Sequence, residues 1–101
     1  MRGKEITRLL YEVVDEINER LTRDRRLTKS PDTILFGKGG NLDSLGLVNL
    51  ITLTEQKVED KFGITITLAD ERALSPKETR FKTIGTLVDY VCLLLEEKAN
   101  G

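Results

Sequence analysis

Histidine is missing from this chain of 101 residues, and that absence excludes more chemistry than any other feature. Without it there is no Ser-His-Asp triad, no Cys-His pair and no histidine-based zinc site. The single cysteine, Cys92, forbids an internal disulfide and a multi-cysteine metal cluster, and it suits a reducing compartment. Long hydrophobic runs are missing too. The longest, Val91 to Leu95, falls far short of the ~20 residues that a membrane span needs, so no stable membrane insertion is expected. Between Met1 and Tyr11, Arg2, Lys4, Glu5 and Arg8 interrupt any apolar stretch, which argues against a signal peptide and for a cytoplasmic location. Nor does one sign of charge dominate. Sixteen basic and seventeen acidic side chains leave a net charge of −1, so no nucleic-acid partner is expected.

What remains is an ordinary globular composition, 39% hydrophobic and 33% charged, consistent with one domain over residues 1–101. A chain this long removes roughly 60–70% of its unfolded surface from water, enough for one modest core. Ile6, Leu9, Leu10, Val13, Val14, Ile17 and Leu21 recur at spacings of three and four, which predicts a helix over about Lys4 to Thr22. The helical period then lapses until Leu42, through Ser30-Pro31-Asp32 and Gly37-Lys38-Gly39-Gly40-Asn41. Part of this long connection is compatible with a helical turn, and Ile34, Leu35 and Phe36 read as anchors onto a core.

A second helix is predicted from Asp43-Ser44 to Lys61 or Phe62, with either Asp43 or Ser44 as N-cap and Gly63 as the stop. Its apolar stripe reads as Leu45, Val48, Ile51, Val58 and Phe62, widened by Leu47, Leu50 and Leu53. Residues 64–68 alternate like a strand but lack a partner, so an extended connector is expected. A short helical turn near Asp70 to Leu74 and a last helix capped by Thr83, running to about Lys98, complete the pattern. The fold class is all-α: a small bundle of three long helices plus a short one, with a long loop between the first two.

Most candidate sites fail on chemistry. Lys38 is followed by glycine with the wrong spacing for a Walker loop, so the glycines read as a turn. Arg23, Arg25, Arg26 and Lys29 invite an acidic partner or a nucleic acid, but a run this short reads better as a solvated helix end and loop. Cys92 has no basic neighbour to activate it and reads as a half-buried structural residue. The adjacent carboxylates Asp15 and Glu16, and Glu59 and Asp60, point apart on their helices.

Ser44 stands out. It follows a glycine-rich loop and opens a helix, where the positive end of the helix dipole and free amide groups would stabilise an anion on its oxygen. Gly46 reads as leaving room for something bulky to approach. The chain supplies no base to activate the hydroxyl, so this serine suits modification by another protein better than attack on a substrate.

The run Leu35-Phe36-Gly37, Gly40-Asn41-Leu42-Asp43-Ser44-Leu45, Val48, Leu50-Ile51, Glu59, Phe62-Gly63-Ile64 and Ile66 resembles the acyl carrier protein family. Asp70, Phe81, Thr83-Ile84, Leu87 and Tyr90-Val91 fit that family's last helix, so the resemblance covers about Ile34 to Leu95. It implies a carrier and not an enzyme. In the family, the serine of Asp-Ser-Leu receives phosphopantetheine from coenzyme A through a magnesium-using phosphopantetheinyl transferase. The arm's thiol then holds an acyl group as a thioester. The resemblance assigns attachment to Ser44, the transferase-read acidic neighbour to Asp43, and a flanking position to Leu45. It places partner contacts at Leu47, Val48, Ile51 and Glu55. The partners it implies are the transferase and acyl-loading or acyl-transferring enzymes of fatty acid, lipid, polyketide or related biosynthesis, serving a monomeric carrier.

Two departures from the family pattern point to a specialised member. Leu45 to Thr54 contains no charged residue where housekeeping members carry carboxylates, and the stretch from Ser44 to Phe62 reads as about one turn longer. Thr67 to Phe81 is polar and is expected to be the most mobile part. The alternative class is an unmodified helical adaptor with the same fold, using Leu45 to Leu53 for docking and Ser44 only as a cap. Such an adaptor could place Asn or Thr at the cap at little cost.

Overall fold

The computed structural model describes residues 2–68 and 79–100. Among them are three α-helices and no strand: α1 (Arg2–Asn18), α2 (Ser44–Phe62) and α3 (Ile84–Asn100), with a 3-10 turn at Arg23–Arg25. The helical turn expected near Asp70 to Leu74 lies outside the described residues, as does most of the segment expected to be mobile.

α1 is the central element. Ile6, Leu9, Leu10, Val13, Val14 and Ile17 are all at most 3% exposed, so its stripe is buried along the whole helix. α1 packs on both α2 and α3, whereas the backbones of α2 and α3 do not approach one another. Leu35, Leu42, Ile66, Leu68 and Phe81, from the connecting segments, complete the same core. Each fully buried side chain of this kind contributes about 1.5–3 kcal/mol of transfer free energy.

α1 ends at Asn18, a turn before the expected Thr22. The Asn18 side chain is the reason: its amide donates to the Leu27 carbonyl at 2.9 Å, and its oxygen accepts from the Leu27 amide at 2.8 Å. This clasp folds the chain back while Leu27 enters the core, and Arg20 and Leu21 close tighter turns onto Ile17 and Asn18. The acidic end of α1 opposes its own dipole. Lys29 offsets this at Asp15 (3.2 Å), Lys57 of α2 at Glu16 (2.8 Å), and Arg26 Nε donates to the Asn18 carbonyl at 3.2 Å. Glu16 holds Lys57 protonated above its ordinary range.

The long loop is a tether. Leu35 donates to Lys82, Ile84 to Thr33 and Gly85 to Pro31, so the loop lies along the start of α3, with one antiparallel bridge between Ile34 and Thr83. Leu42 donates back to Leu35, which brings the start of α2 to the same end. Gly40 makes this return possible, since a Cβ there would stand 2.8 Å from the Phe36 nitrogen. Leu35 is buried as an anchor should be, with Ile34 and Phe36 half-buried beside it.

Thr83 caps α3 by reciprocal bonds with Thr86, amide to hydroxyl in both directions at 3.0 and 3.1 Å. Gly63 stops α2 in the left-handed conformation (φ 67°). Residues 64–68 form the expected extended connector, with Ile66 and Leu68 buried and Thr65 and Thr67 exposed.

The stripe of α2 differs from the sequence expectation. Its buried face is Leu47, Leu50, Ile51, Thr54 and Val58, while Leu45 is 70% and Val48 40% exposed. A polar residue at the centre of the buried face disguised the register. Thr54 is fully buried and satisfies its hydroxyl by donating to the Leu50 carbonyl at 2.8 Å. In urea unfolding, Leu50→Ala is expected to cost about 2–5 kcal/mol and Leu45→Ala no more than about 0.5 kcal/mol. Equal losses would mean that the helix is turned differently.

Candidate functional site

The site is the junction between the glycine-rich loop and α2. Asp43, in extended conformation, is the N-cap: its carboxylate accepts from the Gly46 amide at 2.7 Å, and its carbonyl accepts from the Leu47 amide at 2.9 Å. Of the two sequence candidates for the cap, the structure selects Asp43. Ser44 is therefore the first helical residue. It is exposed, and its hydroxyl has no hydrogen-bond partner among the described residues.

Gly46 has a different role from the one its position suggests. The space beside it is filled by this chain: a Cβ would meet Asp43 Oδ1 at 3.2 Å and Leu42 Cδ2 at 3.2 Å. The missing side chain lets the Asp43 carboxylate close over the first turn. Access to Ser44 comes from its own exposure.

Electrostatics at this end are set by the helix. Asp43 consumes the Gly46 amide, while the amides of Ser44 and Leu45 have no partner among the described residues. Two free amides at the positive end of a 19-residue helix are suited to an anion on the Ser44 oxygen. Asp43 opposes this by like charge, reduced because its carboxylate is turned back onto Gly46. An anionic ester thus fits the site, and the bulk beyond it meets solvent. Among the described residues no base is hydrogen-bonded to the hydroxyl; the chain has no histidine, and the adjacent Asp43 carboxylate is held in the cap.

The four residues expected to meet partners divide. Val48 is exposed on the same side of α2 as Leu45. Leu47 and Ile51 are corrected: both are fully buried core residues and present no surface to a partner. Glu55 is half-buried, and its carboxylate accepts from the Leu68 amide at 2.5 Å, fastening the connector after α2. Cys92 is half-buried on α3, as expected. No group of three or more metal-ligating side chains is found among the described residues.

Sequence reasoning missed Asn41. Its amide donates to the Arg26 carbonyl at 3.3 Å, tying the loop before Ser44 to the 3-10 turn after α1. Nothing in the spacing of Asn41 signals this, because the bond is made to backbone fifteen residues away.

The sequence matches no protein-family model, and searches of the curated proteins and of the solved structures return no match.

Replacing Asp43 separates the cap from its neighbour. Asp43→Ala is expected to lower stability by about 1 kcal/mol, whereas Asp43→Asn, which still accepts from the Gly46 amide, stays within a few tenths. Urea midpoints of the two variants check this. Equal losses would mean that charge, rather than the cap bond, is what holds the turn.

Proposed function

We propose that this chain is a carrier protein of the acyl carrier type, modified on Ser44 with phosphopantetheine and carrying thioester-bound acyl intermediates between enzymes. The observation that supports this best is the division of labour at residues 43 and 44. Asp43 makes the cap bond without the Ser44 hydroxyl, which is exposed and has no partner among the described residues. An adaptor that used Ser44 only as a cap would need the hydroxyl where the Asp43 carboxylate already sits.

In this reading, the Ser44 oxygen bonds to the phosphorus of the pantetheinyl phosphate and the pyrophosphate bond of coenzyme A breaks, releasing the adenosine bisphosphate. The proton leaves to a base on the transferase. Phosphopantetheine would supply a solvent-reaching thiol on a long arm, whereas the chain's own thiol, Cys92, is half-buried on α3. The chain contributes an exposed attachment point, amides that stabilise the phosphodiester, and a rigid helix that presents it. Leu45 and Val48 are the apolar contacts it offers to the transferase and the acyl-handling enzymes. The lack of charge from Leu45 to Thr54 weakens electrostatic steering on that face and supports a dedicated partner set, as does the length of α2. The chain itself is not a catalyst. A cytoplasmic monomer acting in lipid, polyketide or related biosynthesis fits this reading.

Incubation with coenzyme A, magnesium and a broad-specificity phosphopantetheinyl transferase is expected to add one phosphopantetheinyl group by intact mass. Ser44→Ala is expected to remain unmodified, and Asp43→Asn to load more slowly at unchanged stability. A folded wild-type chain that gains no mass with several transferases would favour the unmodified adaptor.

A further inference from the structure

The basic run after α1 has a use beyond solvation. Four cations, Arg23, Arg25, Arg26 and Lys29, are exposed within seven residues. Two of them are committed to the acidic end of α1: Lys29 to Asp15 and Arg26 Nε to the Asn18 carbonyl. Arg23 and Arg25 make no ion pair or side-chain hydrogen bond among the described residues. Asp24, held ionised below its ordinary range chiefly by the neighbouring Thr22 hydroxyl, offsets one positive charge of the turn.

The turn is held in place. Arg25 donates to the Thr22 carbonyl at 2.9 Å, and the Asn18 clasp fixes Leu27 in the core directly after it. Asn41 ties the Arg26 carbonyl to the loop that leads into α2. From Asn41 to Ser44 is three residues, a span of at most ~11 Å. An ordinary protein interface covers about 800 Å² on each partner, a patch roughly 30 Å across. A protein centred on Ser44 reaches about 15 Å from it and so covers Asn41, whose bond to the Arg26 carbonyl leads on to the turn; charges at such a rim act chiefly on encounter rate. From Leu45 to Thr54 the helix beside Ser44 carries no charge, so positive charge near this end comes from the turn and from the exposed Lys38 of the loop.

We propose that the Arg23–Arg26 turn is a docking surface for an acidic patch on a protein that visits Ser44. The choice of a protein as occupant rests on the carrier reading. It is also favoured by what surrounds the turn. Residues 20–33 include no aromatic to stack on a base. Leu27 is buried and Leu21 half-buried, which leaves little to insert into a membrane. Asp15, Glu16 and Glu19 are exposed beside the turn and confine the basic surface to a few residues, which suits a short acidic patch better than the long phosphate run of a duplex.

The test is an amide-resolved NMR titration of the full chain with a blocked octaglutamate peptide. A DNA duplex and phosphatidylglycerol vesicles are titrated in parallel. Shifts are expected at residues 22–29 and 38–41, with affinity falling about tenfold between 50 and 500 mM salt. Arg23→Glu/Arg25→Glu, checked for folding by circular dichroism, is expected to abolish them, and Arg23→Lys/Arg25→Lys to retain them. No shift, shifts insensitive to the charge reversal, or tighter binding to the duplex or vesicles would overturn the proposal. Running the titration on Ser44→Ala as well separates the two readings. It fails or succeeds without the modification, while failure of wild-type loading would remove only the argument for a protein occupant.

Discussion

The fold depends on the apolar stripe of α1. Because α2 and α3 do not meet backbone to backbone, six residues between Ile6 and Ile17 join the two outer helices through one shared surface. Every other contact is arranged around that seam. The Asn18 clasp ends α1 where the seam ends, and the loop then returns along the start of α3 before delivering the chain to α2. A connection of this length would cost conformational entropy without return if it were loose. Here its hydrogen bonds to α3, its bond back from Leu42 and the burial of Leu27, Leu35 and Leu42 make it part of the bundle.

That arrangement fixes the chemistry available at Ser44. The loop hands α2 an aspartate in extended conformation, and this aspartate supplies the side-chain cap bond. The next residue inherits the field of the helix without having to serve it. A hydroxyl in that position is poor as a nucleophile without an external base and well placed as an acceptor of a phosphate ester. In the proposed carrier reading, recognition would draw on the exposed apolar pair Leu45 and Val48 and on charges outside that stretch.

Much of the bundle was legible in the sequence, and the errors have physical causes. The α1 stripe is uninterrupted, so its register is unambiguous. The caps at Asp43 and Thr83 and the stop at Gly63 follow from side chains acting on their own neighbours, which local sequence reports well. α2 was misread because periodicity counts apolar residues. Thr54 occupies the core by bonding its own helix, while Leu45 and Val48 are apolar outside it. Leu47 and Ile51, which the family resemblance placed at the partner face, are fully buried instead. The early end of α1 and the tie from Asn41 to Arg26 were invisible, since both depend on an asparagine reaching backbone nine and fifteen residues away. The exposure of Ser44 follows from its place beside the cap, but only the geometry tells which of Asp43 and Ser44 does the capping.

The central claim is that Ser44 is left free by folding in order to be modified. The most direct measurement is the mass of the Ser44-containing peptide from chain isolated from cells that make it. The account predicts a phosphopantetheine phosphodiester on that serine, with free and acylated thiols. Ser44 unmodified throughout the isolated population would contradict it and leave α2 as a docking helix with a spare hydroxyl.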